Sequence, residues 1–299
     1  MSFSDDNIPM GEEKESMKEL ADMDGAAVPE FAQAEFEKKA AGLPGPDDNA
    51  AAATPTAKQS PSAAQVLGVS EDQLQTEFNR FKADKLLQKV VMDLVYPNIS
   101  KDELLKKTGE TVSYKLGGVT VLPDMLPAVL KSKIETEIYV AVCYPFGAET
   151  FETKKYMLKK ARAKKIAGVV LCFDNYELSE KKPKAIVNEY KKLLGMCKNK
   201  KFTVAVNLDG MPIKDMLAVI DILYAAQVKS VRAMVSDLNR GGIALENFVK
   251  GAAGKFETTA AARIADPEKV VDAFSKGVNT FACSNAVEVA ASFRDLLNL

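Results

Sequence analysis

The chain contains no histidine. That absence removes Ser-His-Asp and Cys-His nucleophile activation, the paired-histidine zinc helix and imidazole proton shuttling near neutral pH. Acid and base chemistry must come from Asp, Glu, Lys, Tyr or Cys. Four charged residues in or beside short β-rich runs are the candidates: Asp93, Asp174, Arg232 and Glu257. If they converge, two chemistries compete. Arg232 can grip a carboxylate or phosphate ligand through its fork of N–H donors, or it can pair internally with Glu257 or Asp93 and close a dead site. The internal pair is the preferred reading. The cysteines, Cys143, Cys172, Cys197 and Cys283, form no C-x-x-C pair and read as reduced thiols, of which Cys143, Cys172 and Cys283, in strand ends, read as inert core residues. The pattern calls for no metal and no cofactor.

The elements that position these residues follow from the alternation of apolar runs with helix signals. Strands are expected at Val90–Val95, Val119–Leu122, Glu137–Tyr144, Gly168–Phe173, Phe202–Asn207, Ser230–Val235, Lys255–Thr259 and Val278–Ala282. Between them stand helix starts such as the capping box Ser100-Lys101-Asp102-Glu103 and the cap-plus-proline pair Asp266-Pro267. Continuous apolar strands joined by helices require a parallel sheet covered on its outer face. Eight of them predict an α/β fold, a (β/α)8 TIM barrel, with a leading helix opened by the capping box Ser70-Glu71-Asp72-Gln73. A doubly wound open sheet is the alternative, weakened because no G-x-G-x-x-G follows the first strand.

The 299 residues are 47% hydrophobic and 27% charged, the proportions of an ordinary globular protein. Charge is unevenly placed. Residues 1–65 carry 13 acidic and 5 basic side chains, a net of -8, whereas residues 66–299 carry a net of +7. With two leucines and one valine, the first 65 residues cannot bury enough apolar surface to offset chain entropy. They are expected to be a disordered acidic extension ahead of a barrel spanning 66–299. No secretory signal or membrane span is evident in the sequence, and a cytoplasmic location is expected.

The end of the third strand, Val142-Cys143-Tyr144-Pro145-Phe146-Gly147-Ala148, resembles the G-F-P-x-G-A turn of deoxyribose-phosphate aldolases. In the same order, Met92-Asp93-Leu94 resembles that family's opening I-D-H/L strand, Phe202–Asn207 its L-K-V-I-x-E strand and Ser230-Val231-Arg232 its F-V-K strand. The resemblance covers roughly residues 80–299 and implies a class I aldolase barrel. In such enzymes a lysine forms a Schiff base, a second lysine tunes it and an aspartate moves protons. Here the resemblance places Arg232 at the Schiff-base lysine, Glu257 at the second lysine, and Val170, or Leu171 with a one-residue shift, at the aspartate. Thr203 and Asn207 replace the fifth-strand lysine and glutamate. A guanidinium has no free amine and cannot form the imine. The phosphate turns read Ala260-Ala261 and Ala282-Cys283-Ser284-Asn285, so a residual small-anion site would rest on Arg263 and Ser284, beside Asp93 and Arg232.

A second feature is basic clustering. Between Lys154 and Lys201 stand 15 basic and 4 acidic residues, including Lys154, Lys155, Lys159, Lys160, Lys164 and Lys165 on one expected outer helix. Such a field attracts an acidic protein surface or a polyanion, and a lysine-rich face that only solubilises the barrel is the alternative reading. Few aromatics interleave the lysines, which argues against nucleic acid. The expectation is therefore a catalytically inactive, aldolase-like binding or scaffold protein. An actin filament is a candidate partner by analogy with glycolytic aldolases, which share the barrel class. A lyase with an altered site is the alternative.

Overall fold

A computed structural model describes residues 82–296 other than 97, 163 and 198. The acidic extension, the capping box at Ser70 and Lys198 lie outside the described residues. A helical turn over residues 82–87 leads into β1 (Val90–Leu94). The remaining strands are β2 (Val119–Val121), β3 (Ile138–Val142), β4 (Gly168–Cys172), β5 (Lys201–Asn207), β6 (Ser230–Val235), β7 (Glu257–Ala262) and β8 (Thr280–Cys283). All pair in parallel, in sequence order, and β8 closes on β1. This is the expected (β/α)8 barrel.

The helices are α1 (Lys101–Ser113), α2 (Leu126–Ser132), α3 (Phe151–Arg162), α4 (Glu177–Glu180), α5 (Pro183–Gly195), α6 (Ile213–Ala225), α7 (Leu238–Ala252), α8 (Pro267–Ser275) and α9 (Ala286–Leu296). The two starts read from sequence form as expected. Ser100 accepts from the Glu103 amide at 3.2 Å, and Asp266 accepts from the Glu268 amide at 3.0 Å, so each satisfies a free N–H of the first turn.

Strand alternation sorts the core into two shells. Val90, Met92, Leu94, Val140, Val204, Val231 and Phe281 point outward against helix residues such as Leu158, Ile186, Phe248 and Phe293. The inward positions make two smaller clusters, Val91 with Ala261 and Ala282, and Val170 with Cys172 and Ala205; Tyr139 and Met234 pack against both. Because the strands are buried on both faces, they read as continuous apolar runs.

One strand differs from the sequence reading. β7 starts at Glu257 and runs to Ala262, and Ala260-Ala261 is ladder, paired with Ala233 and Met234, rather than a turn. Small alanines supply no turn chemistry, so pairing with both neighbours extends the strand until Arg263.

Candidate functional site

The turn after β3 is shaped by its backbone. Cys143 takes a left-handed φ of 58°, the Tyr144-Pro145 bond is cis, and Gly147 has a φ of 68°. A Cβ at Gly147 would lie 2.4 Å from the Cys172 carbonyl oxygen, so only glycine lets this turn lie against the end of β4. The turn leaves Tyr144 and Phe146 at the rim, where Phe146 is 68% exposed.

The C-terminal ends of the strands, where barrel enzymes carry their sites, enclose a cavity of about 640 Å³. Its lining includes Asp93, Tyr96, Tyr144, Phe146, Asn207, Asp209, Ser236, Arg263 and Ser284. Three of the four expected ligand residues, Asp93, Arg263 and Ser284, therefore meet here. The Ser284 amide donates to the Arg263 carbonyl at 3.0 Å, which ties the turns after β7 and β8 together. Sequence reasoning missed Asp209. Its carboxylate accepts from the Ser236 amide at 3.0 and 3.2 Å and fixes the turn after β6. A carboxylate two residues beyond a strand end was the available signal.

Arg232 does not line that cavity. It sits in the barrel centre, 4% exposed, and its Nη2 donates to Asp93 Oδ1 at 2.7 Å. The preferred internal ion pair thus forms with Asp93. Below it, a second cavity of about 220 Å³ opens at the N-terminal end of the strands, lined by Tyr139, Lys201, Thr203, Arg232, Glu257 and Thr259 among others. The Arg232 Nε is buried without a hydrogen-bond partner.

Glu257 was expected at the mouth and lies instead at the opposite end. As the first residue of β7 it accepts from Lys201 Nζ at 2.6 Å. Strand seven begins later than the sequence reading allowed, and that places Glu257 below Arg232. Val170 points inward in an apolar cluster with Cys172 and Ala205, so the central layer offers no proton carrier at that position. No lysine lines the mouth cavity among the described residues.

Asp174, just beyond β4, is 9% exposed and accepts from the Tyr176 amide at 3.0 Å. Burial raises its carboxyl above the usual range, opposed by that amide. Burial pushes the thiols of Cys143 and Cys172 up to about 12, with Glu149 adding to the effect at both. Neither is thiolate at neutral pH, as expected for core cysteines.

The basic stretch divides in two. Lys154 does not belong to an outer basic face: it is fully buried, 2.9 Å from Glu177 Oε1 and 3.9 Å from Glu189 Oε1. Lys181 bridges the same two acids at 3.0 and 2.9 Å. The helical period turns Lys154 inward against α4 and α5 while its neighbours face out. Lys155 is exposed and paired with Glu152 at 3.1 Å, and Lys159, Lys160, Lys164 and Lys165 are exposed.

The fold defines the chain as a closed (β/α)8 barrel with an open cavity at the C-terminal ends of its strands. Its structure is similar to QR15, an aldolase, with a TM-score of 0.64 and 14% identity over 71% of this chain and 98% of that one. It is similar also to the tetrameric deoxyribose phosphate aldolase from Aeropyrum pernix, with a TM-score of 0.63 and 17% identity over 79% of this chain and all of that one. The fold is therefore deoxyribose-phosphate-aldolase-like, as the strand-end motifs implied. No protein-family model matches the chain, and no curated protein matches it. No helix among the described residues is long and apolar enough to cross a membrane.

Proposed function

We propose that this chain is a catalytically inactive, deoxyribose-phosphate-aldolase-like barrel that works in the cytoplasm as a binding or scaffold protein through its basic surface. The observation that carries the first half is the centre of the barrel. The side chain at the Schiff-base position is Arg232, a permanent cation without an amine lone pair, and Asp93 holds it at 2.7 Å. Lys201 lines the cavity at the opposite end of the barrel and is engaged there by Glu257. A class I mechanism needs an amine at the mouth, a neighbour that keeps part of it neutral, and a proton carrier. Arg232, Glu257 and Val170 supply none of these. The exposed lysines of the flank support the second half, with an acidic cytoskeletal surface such as an actin filament as one candidate partner.

The test is borohydride trapping with deoxyribose 5-phosphate. The intact mass is expected to stay unchanged. A reduced adduct on any lysine would overturn the reading and promote a lyase with an altered site. The observation favouring that second reading is the open mouth cavity, where Arg263 and Ser284 still stand side by side and could receive a phosphorylated sugar.

A further inference from the structure

Between the C-terminal half of α3 and the segment that follows α5 runs a groove of about 1070 Å³, lined by Tyr156, Lys159, Lys160, Arg162, Met196 and Lys200 among others. Among the described residues, no carboxylate lines it. Four cations of the basic stretch outside the groove are paired with acids: Lys154 and Lys181 are held by Glu177 and Glu189, Lys155 by Glu152, and Lys201 by Glu257. The groove cations are held differently. Arg162 Nη1 donates to the Met196 carbonyl and Lys200 Nζ to the Ile166 carbonyl, each at 2.6 Å, so both are positioned while keeping their charge uncompensated. Lys160 Nζ lies 5.5 Å above the Tyr156 ring, and Lys159 has no carboxylate partner among the described residues.

From this we propose that the groove is the docking site for an acidic segment of a protein partner, a deepening that rests on the binding-protein reading above. Two features favour a polypeptide over a compact phosphate group. α3 and α5 both end at the groove, so neither offers it the free helix-start amides that would cradle a phosphate, and anion binding there rests on the side-chain cations. The cations are also distributed along the groove, with Tyr156 and Met196 between them as apolar contact, which suits carboxylates spaced along an extended chain.

The experiment titrates the full chain into a fluorescein-labelled oligoglutamate peptide and reads anisotropy at low and physiological salt. The double variant Lys159→Glu/Lys160→Glu should bind about tenfold more weakly or worse, because each reversal sets like charges face to face. A charge-matched control on α1, Lys101→Glu/Lys106→Glu, should stay within about twofold of the unmodified chain, since those exposed lysines act only through screened long-range field. Melting curves of both variants should overlay the parent. Absence of peptide binding, or equal weakening in the two variants, would overturn the groove. So would displacement of the peptide by inorganic phosphate at comparable concentration, which would indicate a compact anion site. A borohydride adduct with groove-selective binding intact would instead remove only the inactive-enzyme reading.

Discussion

Arg232 and Asp93 face each other in the barrel centre with side chains 4% and 11% exposed. At such burial the pair is a poor source of net stability, but an unpaired survivor is costly. Arg232→Ala should therefore destabilise the fold by about 3–5 kcal/mol, because the Asp93 carboxylate would remain in the barrel without its cation. The double change Arg232→Met with Asp93→Leu should recover most of that loss, since it removes both desolvation penalties and fills similar volume. Denaturant unfolding of the three proteins checks this. If Arg232→Ala were neutral, water entering from the two adjoining cavities would have to solvate Asp93, and the plugged-centre account would fail.

At the scale of elements, the Lys154, Glu177, Glu189 and Lys181 cluster joins α3, α4 and α5 around the chain that leaves β4. Beside it Phe173 stacks on the buried Tyr190 at 5.3 Å between centroids, so the carboxylates pack against apolar surface rather than water. Lys154→Ala should lower stability by about 3 kcal/mol, moderated by Lys181, which still reaches both acids. Lys159→Ala, in the same helix but exposed, should change it by less than about 0.5 kcal/mol. Paired thermal melts compare them directly. Equal effects would mean that Lys154 reaches solvent and that the cluster does not tie the helices together.

The whole barrel depends on closure, because β1 pairs with both β2 and β8 and none of the eight described strands has a free edge. α9 packs over that seam with Val289, Ala290 and Phe293, all nearly fully buried. Removing the ring in Phe293→Ala should cost about 3–5 kcal/mol through lost burial and the cavity left behind. Loss at the seam should lower one cooperative transition of the described barrel rather than melt α9 alone. Circular dichroism at 222 nm and near-ultraviolet signals should then shift together; separate transitions would show that α9 is a dispensable addition.

The order of eight strands, their helices and the caps at Ser100 and Asp266 was legible in the sequence, because period and capping are local and depend on residues a few positions apart. That strand six carries Arg232 was legible for the same reason, as a residue type at a single position. Tertiary structure alone decided which acid Arg232 meets. Asp93 and Glu257 were equal candidates along the chain, and only the register of β7 placed one beside the guanidinium and the other at the far end against Lys201. It also decided which lysines are charge on the surface. Lys154 and Lys155 are neighbours in sequence, yet one is sealed between two glutamates and the other is exposed. A helix turns adjacent side chains through about 100°, and what packs against each face is a property of segments distant in the chain.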